Sequence, residues 1–543
     1  MATTLFFSFL GSLVICMALI PPLMASAGRL QILDVPRGRR MHSGSVAKVG
    51  GIALAVGTFI GVLMWGPKDE VVVASLLGGL TILLFGIWDD RVGLSYRAKF
   101  GGQALAALVV MAFGGVQISS LPFVPDDWFG PWLSLPLTFL VLIAVTNAVN
   151  LADGLDGLAG GLSLISFAGM AYLAFQTDDA LLVLMIVSVL GGLLGFLRFN
   201  THPAKIFMGD AGSQFLGFYL AVTGLVLIHP SHGPYSPLLV LFLWGLPLLD
   251  MLGVMIQRWR EGRSPFIGDR NHLHHKLLGM GCSHREAVVL IYTGQTAMVA
   301  LGYGLRWQPD WILAAMYLAA VCGVLFLFLH PVAGLRRARE TAAAQASGGG
   351  TGWLDEHPWL AQAPIRLLAA AVTGFLLVSV ALPRTVSPDA GVLAAGLLVA
   401  GLAGRILLPR MTPFWVRVGL YVGSTFVLYF GEIGSSAVSH WWARPVDLFL
   451  VGVAVLVMLV MRLGATGRFE TTPLDSLMIL LALVLPFLPE LQVGESNVSA
   501  LTARLIVLFF AFELLLHAYA DRVAQAGLVA LWLLGGLAVR AWW

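Results

Sequence analysis

The chain has 543 residues, of which 58% are hydrophobic and only 11% are charged, and its mean hydropathy is +0.87. A soluble domain carries about 25% charged residues, so this chain has too little polar surface to cover itself in water. The formal net charge of +3 is too small to indicate a nucleic-acid partner, and none is expected. Cys16, Cys282 and Cys322 lie far apart, which argues against a disulfide framework or a cysteine metal site.

Apolar runs of about 17–22 residues recur along the chain, and a helix needs this length to cross the ~30 Å hydrocarbon core of a bilayer. We therefore predict an all-α fold, a polytopic bundle of transmembrane helices. About eleven spans are expected first, near 5–26, 50–66, 71–88, 100–119, 131–149, 157–175, 181–197, 213–229, 236–256, 287–305 and 311–330. About seven more are expected near 366–382, 389–408, 414–430, 446–462, 474–489, 502–519 and 525–541.

A break at 331–365 separates the two sets of spans. It contains the basic run 335–340 and the Ala/Ser/Gly-rich stretch 342–350, a composition typical of a flexible linker. We predict a membrane domain at 1–330, a cytoplasmic linker at 331–365, and an additional transmembrane module of unknown function at 366–543.

Lysine and arginine concentrate in alternate loops between the predicted spans. The loop 124–130, by contrast, has none, and Lys68 and Arg306 are the main exceptions to the pattern. The positive-inside rule places the basic loops in the cytoplasm. These loops are 29–48, 91–99, 198–205, 258–285 and 336–339.

Two acidic motifs lie at the ends of predicted spans, where ionisable residues are unfavourable unless they are solvated, paired or functional. Asp89 and Asp90 end the third span, and two adjacent carboxylates repel each other or attract a cation. A solvated helix end is the simpler reading of this pair alone. Asn150, Asp153 and Asp156 recur at every third residue in a Gly-rich segment, and such oxygen ligands suit Mg²⁺.

Two further polar segments are predicted on the same face. Asp210 stands at the start of a span, where a helix N-terminus favours anions, although a structural N-cap is the alternative. The loop 258–285 contains His272, His274 and His275. Neither Cys282, the one cysteine in this loop, nor a second histidine cluster completes a tetrahedral zinc site, and with the neighbouring basic residues the histidines are better suited to holding phosphate.

Carboxylates and amides for a hard cation, basic groups for phosphates and a surrounding bilayer together indicate phosphoryl transfer to a lipid acceptor. The sequence has no Walker A motif, kinase Gly-rich loop or dinucleotide-binding fingerprint. A membrane transporter is the rival class, but its acids would lie near the middle of spans, usually with inverted repeats. The presence of every expected motif residue argues against a third interpretation, that the chain is a catalytically inactive scaffold.

From about Leu30 to Gly281, with spans continuing to about His330, the chain resembles the polyprenyl-phosphate N-acetylhexosamine-1-phosphate transferases of glycosyltransferase family 4. The motifs appear in the same order with span-length spacing. Residues from about 366 onward depart from the family pattern. The matching motifs are Asp34–Arg37, Met41–Ser43, Val49–Gly51, Trp88–Asp90, Asn150–Gly157, Phe207–Ser213 and Asp269–His275.

The resemblance implies transfer of N-acetylhexosamine-1-phosphate from a UDP-sugar to undecaprenyl phosphate, with release of UMP, as the start of a cell-envelope glycan. The form of the Asp269–His275 motif favours the N-acetylglucosamine branch over the alternative pentapeptide branch. The resemblance marks Asn150 and Asp210 for a metal, expected to be Mg²⁺ with Mn²⁺ as the alternative. It places Asp89, Asp90, Asp153, Asp156 and His274 among the catalytic residues. Its expected substrate-binding residues are Lys48, Asn200, Phe207, Arg270, His272 and His275.

The same resemblance implies a multi-pass protein of the bacterial inner membrane with its active site on the cytoplasmic face, and a homodimer is a further expectation. Direct attack by the lipid phosphate on the sugar-linked phosphorus competes with a covalent aspartyl-phosphate route. Polyprenyl phosphate is already largely ionised at cytoplasmic pH, since the second pKa of a phosphate is about 6. An electrostatic role for one residue of the Asp89–Asp90 pair is therefore favoured over that of a base.

Overall fold

The structure, a computed structural model, describes residues 2–34, 46–125, 127–263, 271–329, 358–381, 386–407, 409, 412–433, 439–463, 492–493, 496–519 and 523–542. In these ranges the protein is nearly all-α, as predicted, and eleven helices are long and apolar enough to cross a membrane. The helices α1 to α9 are Ala2–Leu30, Gly50–Trp65, Glu70–Val92, Tyr96–Gly114, Pro131–Ala152, Leu158–Gln176, Ala180–Asn200, Gly209–Leu227 and Leu239–Arg260. The helices α10 to α18 are Leu273–Gly279, His284–Leu305, Asp310–Leu329, Pro358–Ser379, Pro388–Leu407, Thr412–Ile433, Ser439–Leu463, Val498–Ala518 and Val523–Arg540.

The described chain divides into two compact units. Helices α1 to α12 form the first unit, and α13 to α18 form the second. Most of the predicted linker 331–365 lies outside the described residues, and α13 begins at Pro358 within that range.

Each of the eleven spans predicted in the first unit coincides with a helix, and eight of these helices are among those long and apolar enough to cross a membrane. Two helices extend beyond their predicted spans by residues that include acids identified from the sequence motifs. Helix α3 continues to Val92, so it includes the Asp89–Asp90 pair, and α8 begins at Gly209, so Asp210 lies in its first turn. In the second unit, six predicted spans coincide with helices, and the span near 474–489 lies outside the described residues.

Local sequence explains where the helices near these acids begin and end. Asp69 caps α3 by accepting a hydrogen bond from the Val71 N–H at 2.9 Å, and Ser95 caps α4. Gly93 ends α3 with a φ of 70°, a left-handed conformation that glycine adopts without strain.

Close backbone packing at glycines brings α2, α3 and α8 together. A Cβ on Gly51 of α2 would overlap the backbone of Gly212 in α8, and a Cβ on Gly86 of α3 would overlap the backbone of Ala211. The Gly51 N–H also donates to the Met208 carbonyl at 3.0 Å. Small residues of this kind allow membrane helices to approach closely, and here they bring α2 and α3 against the start of α8.

Gly51→Ala is expected to destabilise the protein by about 1–3 kcal/mol, the usual cost of overpacking. The added methyl group has no free space, because the backbone of Gly212 occupies its position. Gly101→Ala is the matched control, since a Cβ there meets no atom of the described chain within 4 Å. Thermal unfolding in detergent should give a lower Tm for Gly51→Ala only, and equal Tm values for the two variants would contradict this account of the packing.

Among its described residues, the second unit has two ion pairs between helices. Arg417 of α15 donates from Nε to Glu513 Oε1 of α17 at 3.2 Å, and the Tyr421 hydroxyl contacts the same carboxylate. Arg504 of α17 donates from Nε to Asp447 Oδ1 of α16 at 2.8 Å. Pairing lowers the cost of placing these charges within apolar helices.

Candidate active site

Asp90 connects the end of α3 to the start of α8. Its buried carboxylate accepts hydrogen bonds from the N–H groups of Asp210 and Ala211, each at 3.0 Å. It therefore satisfies two of the free N–H groups at the start of α8 and places its negative charge at the positive end of that helix. Gly209 has a φ of 71° and lies directly against this carboxylate, so a Cβ at this position would overlap it.

Lys99, in the first turn of α4, lies between two carboxylates. Its ammonium group contacts Asp89 Oδ2 and lies 3.5 Å from Asp210 Oδ2. The other oxygen of Asp89 accepts a hydrogen bond from the Leu94 N–H at 2.7 Å. A positive charge is thus held where the acidic end of α3 meets the start of α8.

Lys48 approaches the Asp90 carboxylate from another segment of the chain. It follows a short antiparallel pair of strands, β1 (Leu33–Asp34) and β2 (Val46–Ala47), and Ala47 also bridges to Ile206. Lys48 Nζ lies 3.6 Å from Asp90 Oδ1. The structure therefore places this predicted substrate-binding residue beside the acids.

Asn150, the second predicted metal ligand, lies in the last turn of α5. The Ser213 hydroxyl donates to Asn150 Oδ1 at 2.6 Å and lies 3.1 Å from the Gly209 carbonyl. Because Ser213 is one turn after Gly209 in α8, this contact holds the Asn150 amide against the same helix start that carries Asp210.

Asp153, in the loop between α5 and α6, lies in a strongly acidic environment. Burial raises the pKa of its carboxyl group to about 7, and the negative charges of Asp210 and Asp90 act in the same direction. Lys48 acts in the opposite direction. A cation held by these acids would reverse this effect, because it favours the ionised carboxylate.

Asp156 lies beside two histidines from other parts of the chain. Its Oδ2 is 2.8 Å from His202 Nδ1 and accepts a hydrogen bond from the Ala204 N–H at 3.1 Å. One ligand atom from each of Asp156, His202 and His284 lies within 4.8 Å of the others, a spacing that a metal ion could bridge. The rings of His202 and His284 are stacked, with their centroids 4.1 Å apart.

Asn200 and Phe207 hold the loop after α7 in place. Asn200 is buried, accepts a hydrogen bond from the Gly157 N–H at 3.0 Å, and donates to the Ile206 carbonyl at 2.9 Å. Phe207 is half-buried, and its backbone bonds to Ala47 and Gly50. Asn200 thus joins the loop 153–157 to the loop 201–208, and the predicted nucleotide contacts of both residues remain predictions.

The histidine segment packs against the loop that carries Asp153. His272 is buried with its Nδ1 2.9 Å from Asp250 Oδ2, and the same carboxylate accepts the Leu273 N–H. His274 is also buried and lies against Gly154, while the His275 ring is 4.2 Å from that of His274.

Burial lowers the pKa of His274 from 6.5 to about 4, and the neighbouring His275 acts in the same direction. His274 is therefore neutral at physiological pH. Its Nε2 has no hydrogen-bond partner among the residues that the structure describes. Arg270, predicted to bind substrate, lies outside the described residues.

The lowered pKa of His274 predicts that stability falls as the pH is lowered from 6.5 towards 4, because the unfolded chain binds a proton that the folded state excludes. The effect should approach about 3 kcal/mol at most. His274→Gln removes the titrating group, so the Tm advantage of the wild type over this variant should shrink between about pH 8 and pH 4.5. A constant difference across that range would contradict the assignment.

Several residues that the structure brings to this site were not predicted from the sequence. Lys99 is the most prominent, and Ser213, Asp250, His202 and Tyr292 support the predicted residues. Tyr292 donates from its hydroxyl to the Gly157 carbonyl at 2.6 Å. Ser213 stands within one of the matching motifs, and so it could have been found from sequence.

The donor set fits a hard divalent cation. Asp89, Asp210 and Asn150 supply oxygen atoms, the ligands that Mg²⁺ prefers. The Lys99 ammonium already lies between Asp89 and Asp210, which shows that these carboxylates leave a place suited to positive charge. The arrangement can therefore hold a cation and, beside it, the negative charge of phosphate groups.

Comparison with known proteins identifies the same segments. The sequence profile of glycosyl transferase family 4 matches residues 72–228. A Bacillus subtilis (strain 168) protein named "Probable undecaprenyl-phosphate N-acetylglucosaminyl 1-phosphate transferase" is 34% identical over 287 residues, which cover 52% of this chain and 80% of that protein. Undecaprenyl-phosphate alpha-N-acetylglucosaminyl 1-phosphate transferases of Yersinia pestis and Escherichia coli (strain K12) are each 32% identical, over 334 and 307 residues. These matches cover 59% and 54% of this chain, and 89% and 83% of the two relatives.

Proposed function

Since the chain belongs to glycosyl transferase family 4, we propose that it transfers N-acetylglucosamine-1-phosphate, or a related N-acetylhexosamine-1-phosphate, from a UDP-sugar to undecaprenyl phosphate. UMP is the second product, and the lipid-linked sugar starts a cell-envelope glycan. The names of the relatives support the acceptor and the sugar. The observation that carries the proposal is the convergence of Asp89, Lys99 and Asp210 at the start of α8.

Asp210 and Asn150 would hold Mg²⁺, with Mn²⁺ as the alternative, and Asp89 lies beside the same Lys99 ammonium as Asp210. When bound, the ion neutralises charge on the diphosphate and makes the phosphorus more electrophilic. Asp90 holds the start of α8 in place through two backbone hydrogen bonds. Lys48 and Lys99 supply the positive charge that a diphosphate and a lipid phosphate require.

In the proposed reaction, an oxygen of the lipid phosphate attacks the sugar-linked phosphorus of the donor. A new P–O bond forms, the bond to the bridging oxygen breaks, and that oxygen leaves with UMP. No proton has to be removed from the acceptor, because the lipid phosphate is already largely ionised when its second pKa is about 6. The role of the protein is then to orient the two phosphates and stabilise their charge.

The contacts of the aspartate pair support direct transfer over a covalent aspartyl-phosphate route. Both oxygens of Asp90 accept backbone hydrogen bonds. One oxygen of Asp89 accepts the Leu94 N–H, and the other contacts Lys99. A carboxylate held in this way is a weaker nucleophile than a free one, whereas it is well placed to orient neighbouring groups.

The proposed location is the bacterial inner membrane, with the site on the cytoplasmic face. The support comes from the sequence pattern, because the basic loops precede or follow the helix ends that carry the acids. UDP-sugars are cytoplasmic metabolites, so this orientation also gives the donor access. A cysteine placed at the exposed Asp127 and another at the exposed Val92 should react with membrane-impermeant reagents from opposite sides of sealed vesicles.

A donor panel tests the function directly. Purified protein with undecaprenyl phosphate and Mg²⁺ is given UDP-N-acetylglucosamine, UDP-N-acetylgalactosamine or UDP-N-acetylmuramoyl-pentapeptide, and UMP is measured. We expect UMP and a lipid-linked product with UDP-N-acetylglucosamine. Release with the pentapeptide donor alone would place the chain in the alternative branch. Substrate flux into vesicles without UMP release from any donor would overturn the proposal in favour of transport.

A further inference from the structure

Three amide side chains meet between helices of the first unit, one turn further from the helix ends than the acids. Gln103 of α4 donates from Nε2 to Gln214 Oε1 of α8 at 3.0 Å and to Asn147 Oδ1 of α5 at 3.3 Å. Asn147 donates from Nδ2 back to Gln103 Oε1 at 2.7 Å and to the Ile143 carbonyl of its own helix at 2.8 Å. We call Gln103, Asn147 and Gln214 the amide cluster.

The members of the amide cluster are spaced in a regular way from residues of the acidic site. Residues three or four apart in a helix lie on the same face, one above the other. Each amide therefore lies one helical turn away from a side chain that contacts or belongs to the proposed cation site, on the same face of its helix. The pairs are Lys99 with Gln103 in α4, Asn150 with Asn147 in α5, and Asp210 with Gln214 in α8.

Because the amide cluster is buried, its side chains must keep their hydrogen bonds to one another. Gln103 and Gln214 are buried, each with 3% of its surface exposed, and Asn147 is half-buried. A buried amide without partners is unfavourable, and the bilayer supplies no water to replace them. The bonds between the three amides form only at one spacing and rotation of α4, α5 and α8, whereas leucine side chains would tolerate several.

We propose that the amide cluster positions Lys99, Asn150 and Asp210 for the reaction, with Gln103 as the central positioning residue. Gln103 contacts both other members, so its loss frees all three helices from this constraint. The kinetic part of this proposal rests on the proposed function. The cation-binding part does not, because the spacing of Asn150 and Asp210 determines how well a divalent ion is held whether or not sugar phosphate is transferred.

Gln103→Leu tests the proposal, and Thr138→Val is the matched control. Thr138 is a fully buried polar residue of α5 whose hydroxyl accepts the Ile118 N–H at 2.9 Å. It lies in the half of α5 away from the acids, because α5 runs from Pro131 to Ala152 and Asn150 lies in its last turn. Both variants therefore remove buried hydrogen bonds of the first unit, but only Gln103→Leu removes them beside the site.

Three quantities are measured for both variants: kcat for UMP release, the Mg²⁺ concentration that gives half of the maximal rate, and the rise in Tm on adding Mg²⁺. Residues that support metal ligands typically change metal affinity or activity by about 10–100-fold. We expect Gln103→Leu to lose at least about 10-fold in kcat, to need more Mg²⁺, and to lose most of the Mg²⁺-dependent rise in Tm. Thr138→Val should keep all three near the wild-type values.

A length exchange separates positioning from a general loss of stability. Gln103→Asn shortens one partner and Asn147→Gln lengthens the other, so each single variant should be impaired. The double variant restores the combined length of the pair 103–147 but not the contact of residue 103 with Gln214, so its recovery should be partial. Recovery of kcat and of the Mg²⁺-dependent Tm rise in the double variant supports the proposal, because two independent destabilising changes would instead add.

The amide proposal is overturned if Gln103→Leu matches Thr138→Val in kcat and in the Mg²⁺ response, or if the double variant is no better than the single ones. A wild type that shows the Mg²⁺-dependent Tm rise without UMP release removes the proposed function and leaves the amide cluster to be judged by the Tm measurement. A wild type that shows neither response removes both proposals.

Discussion

Asp210→Asn is expected to reduce UMP release by about 10³-fold, the scale on which a lost electrostatic contact to a reacting group acts. The substitution removes one negative charge at the start of α8 and leaves an amide of nearly the same shape. Asp90 bonds to the backbone N–H of Asp210 and not to its side chain, so the cap of α8 should survive. Purified protein with Mg²⁺, UDP-N-acetylglucosamine and undecaprenyl phosphate gives the measurement.

Asp127→Asn is the control for this experiment, because Asp127 is exposed in the loop between α4 and α5. It should keep wild-type activity. The Tm of Asp210→Asn without Mg²⁺ should stay close to that of the wild type, since the substitution removes the repulsion from Asp90 and Asp153 together with the attraction of Lys99. Wild-type UMP release by a folded Asp210→Asn protein would remove Asp210 from the proposed metal site.

The membrane helices could be predicted from the sequence because their length and apolar composition are set by the bilayer. The ends of these helices were less predictable. Helix α3 continues to Val92, beyond its predicted span, since Gly93 and not the charge of Asp89 determines where it ends. Helix α8 begins earlier than predicted because the Asp90 carboxylate satisfies its first N–H groups, a contact between residues 120 positions apart.

The sequence identified most of the residues of the site but not the contacts between them. Asp89, Asp90, Asn150 and Asp210 were identified from motifs, and the structure places all four around the start of α8. Lys99 stands in the sequence only as part of a basic loop. A single lysine in a segment whose positive charge already has a topological explanation carries no further signal in one sequence.

The sequence could not show whether a buried polar residue binds substrate or holds the fold together. Asn200 and His272 stand in polar motifs, yet their side chains bond to Gly157, Ile206 and Asp250 and so hold loops together. The amide cluster could not be predicted for a different reason. Its members are isolated polar residues within apolar spans, and only the packing of three helices brings them into contact.

Lys99→Met is expected to lower kcat at least about 100-fold while tightening the binding of Mg²⁺. The ammonium of Lys99 contacts Asp89 and lies 3.5 Å from Asp210, so it competes with a cation for these carboxylates. Its removal leaves two uncompensated negative charges that attract Mg²⁺ more strongly. Activity still falls, because the substrate phosphates lose a positive charge that the metal alone does not replace. Mg²⁺ binding is followed by the rise in Tm, and UMP release gives kcat.

Arg97→Met provides the matched control, since Arg97 lies two residues earlier on α4, is exposed, and donates from Nε to the Tyr96 hydroxyl. It removes the same charge from the same helix and should change neither Mg²⁺ binding nor kcat beyond about twofold. Lys99→Arg keeps the charge in a larger, planar group and should recover part of the activity without tightening Mg²⁺. If Lys99→Met bound Mg²⁺ more weakly than the wild type, Lys99 would be holding the carboxylates apart for the metal and not competing with it. Unchanged kcat would show that the substrate phosphates do not depend on this charge.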